Sequence, residues 1–557
     1  MNSGYIRIIF SFVFLFAFSP FISGQQFYRI YFTDKNYSEF NIRHPKLFLS
    51  EKSIKRREKH CIPIGISDLP VSAYYISMIT NIGAHILCKS KWLNYVVADF
   101  DDVSIVNQIE DFCFVRYVIP LSRLAGSKIG TCQYPLENIK STTSRLTCNG
   151  CGDYGYSDTQ IKMLKTDFLH KFGFTGKGMI IAVLDAGFSG VDTMSAFSCM
   201  RSQHHILCSR DFVEGSKNVY HTSSHGTKVL GLMGAQIEAT YSGISPDADF
   251  ILIRTEDVFS ESPIEEDYWL AGAEYADSIG ADIINSSLGY FNFDDTLNNL
   301  TYNDLDGNST IITRAADIAA SKGILVVNAA GNEGDKPWHY IIAPADGDSV
   351  LAVGSVDLNG IKTPGSSFGP TADLRIKPEV VAPGKASAVI LPNGVVGFEN
   401  GTSFAAPLIS GSAACLWQAA TFQSNMELIS AILMSSSNSS NPDNETGFGI
   451  PDFKLAYQSI TGNYSEIPST DSLCTYPDPV IDILNIDYFT ATGQMVVLRI
   501  YNQTGQLIYN KELLPECCYV KNQLHTDNLL QAGLYFICMI TDNSTICRKV
   551  IKVNTNL

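Results

Sequence analysis

The sequence predicts an α/β protein built on a largely parallel sheet with helices on both faces, preceded by a small α/β unit and followed by a β-sandwich. Three observations carry this. Residues 178–184 (GMIIAVL), 249–254 (DFILIR), 281–285 (ADIIN), 323–328 (GILVVN) and 349–355 (SVLAVGS) are short runs without a polar face, as strands buried between two layers require. Helical runs at 263–279 and 310–321 separate them, the alternation that produces parallel sheets. On either side of 156–460 the pattern changes, and 557 residues exceed one ordinary domain.

The N-terminal elements follow in order. Residues 1–24 hold one basic residue, Arg7, then the apolar run 8–18 and small residues at Ser23 and Gly24, which reads as a secretory signal peptide. No later segment has the ~18 apolar residues needed to span a bilayer. Residues 27–33 (FYRIYFT) alternate as a half-buried strand, and 50–60 (SEKSIKRREKH) form a basic helix that we read as a solvated face rather than a processing or docking site. A helix near 71–82, strands at 84–88 and 95–100, a helix at 102–110 and a strand at 114–119 complete a ferredoxin-like unit over 25–119. Residues 120–155, rich in Ser, Thr, Gly and Cys, read as a linker suited to cleavage.

After the core, a second linker is expected at 461–475 and a small antiparallel sandwich at 476–557, where Val496, Leu498 and Ile500 share one face. Acidic residues outnumber basic ones, 56 to 40, and the net charge of −16 argues against a nucleic-acid partner. Among 14 cysteines, Cys199 with Cys208, or Cys517 and Cys518 with Cys538 and Cys547, are candidate disulfides for an exported chain. Cys148 and Cys151 lack a second pair at zinc spacing, so a disulfide or free thiols is the better reading.

Chemistry enters at three loci. Asp185 closes a core strand in VLDAGFSG, His225 opens a helix in HGTKVLGLMGA, and Ser403 opens another in NGTSFAAPLISG. A carboxylate that fixes an imidazole, an imidazole that takes a hydroxyl proton, and a hydroxyl beside free helix N–H groups form a nucleophilic set wherever they meet. Asp192 and His221 are rivals without that strand-end and helix-start context. A fourth locus, NAAGNEG at 328–334, ends another strand and offers the Asn332 amide as an oxyanion donor with the Ser403 N–H.

Together VLDAGF, HGT, NSSLG from Asn285, AAGNEG, GTSFAAP and GFGIPDFKLAY from Gly447 resemble the subtilisin-like serine proteases, the subtilases, over roughly 156–460. The resemblance implies the subtilisin-like fold, an acyl-enzyme mechanism with Asp185, His225 and Ser403, and Asn332 at the oxyanion. It also implies that Ser287, Leu288 and Gly289 form an edge for the substrate backbone. Leu288, Gly289, Ala329 and Gly331 would line a pocket whose small residues admit a sizeable apolar side chain. FLSEKSIKRR and SKWLNYV resemble inhibitory pro-segments of Bacteroidetes subtilases, and YPDPVIDILNI, TGQLIY and GLYFI resemble the type IX secretion C-terminal sorting domain.

Two positions depart from the family pattern: Ala186 stands where Ser or Thr usually follows the aspartate, and Asn328 replaces an apolar strand residue. No cofactor is required by this chemistry. The metal assignment is open; structural calcium is possible, with the Asp-rich 303–308 (NDLDGN) as the candidate loop against a plain turn. The expected partners are protein or peptide substrates, the chain's own pro-segment and the secretion machinery. The competing readings are a catalytically weak secreted binding or adhesion protein on the same scaffold, and an acyl transferase.

Overall fold

The structure, a computed structural model, describes residues 27–121, 154–462, 472–476, 479–489, 495–513, 519–526, 529–541 and 544–553. The expected signal peptide, the Cys148 and Cys151 pair, most of the first linker and Cys517 and Cys518 lie outside the described residues.

The N-terminal unit comprises β1 (Phe27–Phe32), α1 (Glu51–Lys59), α2 (Ala73–Thr80), β2 (Ala84–Ser90), β3 (Tyr95–Phe100), α3 (Ile105–Glu110) and β4 (Val115–Leu121). Its strands pair antiparallel in the order β2-β3-β1-β4, the ferredoxin-like arrangement expected. Ile30, Phe32, Val96 and Ala98 pack on Tyr75, Ile79 and Ile109 of its own helices. Phe27, Tyr95 and Val97, pointing the opposite way from the same strands, are buried in the core of the central unit. β4 continues to Leu121, two residues past the expected boundary; Pro120 is tolerated because β4 is an edge strand, where a missing N–H costs little.

In the central unit the chain runs α4 (Asp158–Met163), α5 (Thr166–Lys171), β5 (Ile180–Asp185), α6 (Ser198–Ser202), β6 (Ile206–Asp211), α7 (His225–Gly234), the short β7 (Gln236–Ile237) and β8 (Tyr241–Ser242), then β9 (Asp249–Arg254). It continues with α8 (Ile264–Ile279), β10 (Ile283–Ser286), α9 (Ile311–Ser321), β11 (Leu325–Ala329), β12 (Val350–Val356), β13 (Val380–Pro383), β14 (Ser387–Ile390), β15 (Val396–Glu399), α10 (Thr402–Ala419), α11 (Asn425–Met434) and α12 (Phe453–Thr461). Seven strands form one parallel sheet in the order β13-β12-β11-β10-β5-β9-β6. The apolar runs are explained by two cores. Ile181, Val183, Leu325 and Val327 face α7 and α10, while Ile180, Ala182, Leu184 and Val326 face α8 and α9.

The C-terminal unit has β16 (Ser472–Tyr476), β17 (Ile483–Phe489), β18 (Val496–Asn502), β19 (Leu507–Leu513), β20 (Tyr519–His525), β21 (Gly533–Ile540) and β22 (Thr545–Lys552). Antiparallel sheets β16-β17-β20 and β19-β18-β21-β22 enclose Leu484, Ile486, Leu498, Ile500, Ile537 and Met539, a sandwich as expected. Its first strand begins at Ser472, inside 461–475, so part of the expected second linker is folded.

The expected disulfides need correction. Cys538 bonds to Cys547, its cross-strand neighbour in the β21–β22 ladder, while Cys199 and Cys208 are both free thiols. Cys208 lies on edge strand β6 and takes a hydrogen bond from the Tyr275 hydroxyl at 3.5 Å.

The basic helix α1 also differs from expectation, because it is a docked element. Arg56 and Arg57 are buried against Asp277 of α8, and the Ser50 hydroxyl donates to the Ile279 carbonyl at 2.7 Å. Arg29 of β1 binds Asp267 bidentately, Nε donating to Oδ1 and Nη2 to Oδ2, both at 2.8 Å. Glu274 accepts from the Ser90 hydroxyl and from the backbone N–H groups of Lys91 and Trp92 at 2.7 to 2.9 Å. Positions 267, 274 and 277 recur at helical spacing, so α8 presents one acidic stripe to the N-terminal unit.

Candidate active site

The carboxyl ends of parallel strands point their free backbone and following loops to one edge of the sheet, where chemistry collects. β5 ends there with Asp185, fully buried. Its carboxylate accepts His225 Nδ1 at 2.9 and 3.0 Å, and Oδ1 also takes the Ala186 N–H at 2.7 Å. A backbone donor thus supports the carboxylate where the serine or threonine of the family pattern is absent. Gly226 lets α7 approach this closely, since a Cβ there would lie 2.9 Å from that of Asp185 and 2.6 Å from the Gly187 carbonyl. Burial of the imidazole pulls its pKa down, but the Asp185 charge and hydrogen bond outweigh that and hold it above the usual 6.5.

Ser403 is the second residue of α10, and His225 lies against its neighbour Phe404, ring centroids 5.9 Å apart. Pro407 sits four residues on. It has no N–H for the Ser403 carbonyl, and the Ser287 hydroxyl donates there instead at 2.9 Å. The Ser403 hydroxyl donates to the Ser287 carbonyl at 3.3 Å rather than to His225.

Asn332 follows β11. Its Oδ1 accepts the Thr402 N–H at 2.9 Å and the Thr402 hydroxyl at 3.2 Å, which fixes the amide orientation, because a backbone N–H must face an oxygen. Nδ2 is thereby turned away from Thr402 and finds no acceptor among the described residues. Gly401, at φ +144°, carries the chain past the amide, and a Cβ there would come within 3.5 Å of Oδ1. Thr402 is the site residue that the sequence reading missed, although it lies inside GTSFAAP.

Of the five expected substrate-side residues, Ala329 ends β11, Gly331 follows it, and Ser287, Leu288 and Gly289 follow β10. Ser287 and Ala329 are buried, and Leu288 and Gly289 are half-buried. Asn328, fully buried in the strand, ties the two segments together by donating Nδ2 to the Leu288 carbonyl at 3.0 Å and to the Ala329 carbonyl at 2.8 Å. The space between Gly289 and Gly331 is not lined by small residues alone, because the Ile342 side chain stands against both. The rivals do not take these places: His221 Nδ1 bonds to Thr222 at 2.6 Å, and the carboxylate on His225 Nδ1 is that of Asp185, not Asp192.

The Asp-rich loop spends its carboxylates on its own chain. Asp304 accepts from the Thr301 N–H and hydroxyl, and Asp306 from the N–H groups of Asn308 and Ser309, as in a plain turn. Among the described residues two other groups could converge on a cation. Asp211, Glu214 and His221 form one, but Arg254 already pairs with both carboxylates at 2.9 Å. Glu256, Glu261 and Glu265 form the other. There burial pushes all three carboxyls up, Glu256 to about 7 against the lowering hydrogen bond it accepts from the Tyr290 hydroxyl, and the Glu256 charge raises Glu261 and Glu265 further.

A parallel sheet with an aspartate-held imidazole, a helix-start serine and an oriented asparagine amide at its carboxyl edge defines an α/β protein of the serine-hydrolase class. The chain belongs to the subtilase family. The description "Subtilase family" matches residues 176–449, the "Peptidase S8 propeptide domain, Bacteroidota" residues 27–131, and the "Secretion system C-terminal sorting domain" residues 475–553. Subtilisin from Bacillus pumilus is 32% identical over 288 residues, 50% of this chain and 92% of that protein. Subtilisin E from Bacillus subtilis is 33% identical over 262 residues, 46% of this chain. The chain spans 60% of the length of that relative and of others like it. Among solved structures, MycP1 from Mycobacterium smegmatis covers 57% of this chain and 89% of its own at 23% identity, with a TM-score of 0.45. No helix among the described residues is long and apolar enough to cross a membrane.

Proposed function

We propose that the chain is an exported serine endopeptidase, made with an inhibitory pro-segment at 25–119, a catalytic unit at 156–460 and a sorting domain at its C-terminal end. The observation that carries this reading is the Asp185–His225 bond at the sheet edge beside the start of α10. Ser403 Oγ attacks the substrate carbonyl and passes its proton to His225 Nε2, while Asp185 holds Nδ1–H and stabilises the imidazolium. The oxyanion meets Asn332 Nδ2 and the Ser403 N–H. His225 returns the proton to the leaving amine, and water hydrolyses the acyl-enzyme by the same steps in reverse order. Ser287, Leu288 and Gly289 would pair with the substrate backbone, and Leu288, Gly289, Ala329 and Gly331 would flank the side chain before the scissile bond.

No step calls for a cofactor. Structural calcium is sought best through its effect on thermal stability, since the carboxylates of 303–308 are already engaged. The partners are protein or peptide substrates, the pro-segment and the secretion machinery, and the destination is the cell surface or medium.

The test compares wild type with Ser403→Ala by intact mass and fluorophosphonate labelling. Wild type is expected to take up the probe and lose its N-terminal unit, while the variant does neither. A folded wild type that fails to label ends the protease reading.

A further inference from the structure

We propose that Ile342 is a specificity-determining residue that restricts the substrate side chain on the N-terminal side of the scissile bond to glycine, alanine or serine. The proposal rests on the endopeptidase reading above and adds a substrate class to it. The segments 287–289 and 329–332 both flank Ser403, and Asn328 joins them. A side chain entering between them would use the room that Gly289 and Gly331 leave.

That room is taken. A Cβ built on Gly289 would lie 2.6 Å from both Cγ1 and Cδ1 of Ile342, and one on Gly331 would lie 3.0 and 3.2 Å from the same atoms. One isoleucine therefore touches both glycines. Their lack of side chains makes space for Ile342, not for a substrate.

The isoleucine is also held in place. Ile342 N–H donates to the Ala330 carbonyl at 3.2 Å, Ile341 N–H to the Phe368 carbonyl at 3.1 Å, and Tyr290 and Ala343 exchange backbone bonds at 2.8 and 3.1 Å. The segment is pinned to β11 on one side and to the chain after β10 on the other, so it cannot recede. Branching at Cβ limits χ1, which holds Cγ1, the atom that stands against both glycines, in place. The opposite wall is no softer, since Ser367 Oγ lies 2.8 Å from the Gly331 Cβ position and is engaged by the Glu333 N–H at 3.0 Å. A large apolar side chain has nowhere to go, contrary to the expectation drawn from the small residues alone.

The experiment uses the self-processed full chain with succinyl-Ala-Ala-Pro-Xaa p-nitroanilides, where Xaa is Ala, Leu or Phe, and compares wild type with Ile342→Gly and Ile342→Val. Wild type is expected to favour Ala over Phe in kcat/KM by about tenfold or more, the range a few methylenes command in a fixed pocket. Ile342→Gly is expected to raise the Phe-to-Ala ratio of kcat/KM by about tenfold. Ile342→Val, one methyl smaller, must move the ratio in the same direction and covers the case in which the glycine variant does not fold. A labelled wild type that prefers Phe or Leu, or a folded Ile342→Gly with the wild-type ratio, overturns this proposal alone. A wild type that does not label overturns the endopeptidase reading and this proposal with it.

Discussion

Ser287 and Ser403 exchange two hydrogen bonds: the Ser287 hydroxyl donates to the Ser403 carbonyl at 2.9 Å, and the Ser403 hydroxyl donates to the Ser287 carbonyl at 3.3 Å. The first bond exists because Pro407 cannot supply the helical N–H. Ser287→Ala would leave that buried carbonyl without a donor, a cost of about 1–3 kcal/mol. Thermal unfolding of the Ser403→Ala chain, with and without the second substitution, measures it. Ser287→Thr should restore the midpoint, and an unchanged midpoint in Ser287→Ala would show the bond to be dispensable.

Under the proposed mechanism Asn332 Nδ2, left without an acceptor among the described residues once Oδ1 is held by Thr402, binds the oxyanion. Asn332→Ala should therefore lower kcat by about 10²–10³ with little change in KM, a magnitude carried over from subtilisin rather than derived from this geometry. Asn332→Asp keeps an acceptor for Thr402 but replaces the donor with charge, so it should be no better. Steady-state kinetics on a p-nitroanilide reads both, and a loss confined to KM would remove the oxyanion role.

In the proposed mechanism His225 must be neutral to accept the Ser403 proton. Burial lowers its pKa, the Asp185 charge and hydrogen bond raise it by more, and the net pKa lies above 6.5. kcat/KM should thus fall as pH drops through a midpoint above 6.5, not below it. Asp185→Asn removes the raising influence, so the residual activity should show its acid limb at lower pH. A pH–rate profile on both proteins decides, and an unmoved limb would assign it to another group.

How far the sequence could be read depended on the range of the forces involved. The motifs around Asp185, His225 and Ser403 are local turn and helix-start geometries, so a few neighbouring residues announce them. β5 and β11 were legible because Ile180 to Leu184 and Leu325 to Val327 are buried on both faces. β6 was not, because it is an edge strand whose side chains are half-exposed and interrupted by Cys208 and Ser209. The docking of α1 was hidden for a different reason. Its arginines read as solvated until Asp277, 220 residues from Arg57, is brought against them. Ile342 was likewise invisible beside two glycines that it meets only in the fold.

Asp277 is the residue on which the hold of the N-terminal unit can be tested most directly. It is fully buried and receives Arg56 at 2.5 Å, Arg57 at 2.8 Å and Lys91 at 3.5 Å. Burial alone would raise its carboxyl, but Lys91, Arg56 and Arg57 reverse that and hold it below the usual range. Removing one partner of a buried pair costs about 3–5 kcal/mol, since the remaining charges stay desolvated. Arg57 retains Asp68 at 3.1 Å and Arg56 retains the Lys322 carbonyl at 3.1 Å, which places Asp277→Ala at the low end of that range. In the Ser403→Ala chain, which is expected to keep its N-terminal unit, Asp277→Ala should lower the thermal midpoint and speed trypsin cleavage at Arg56 and Arg57. Asp277→Asn, which keeps one acceptor, should fall between. Unchanged cleavage in both would mean that the apolar contacts of Phe27, Trp92 and Tyr95 hold the unit without the ion pairs.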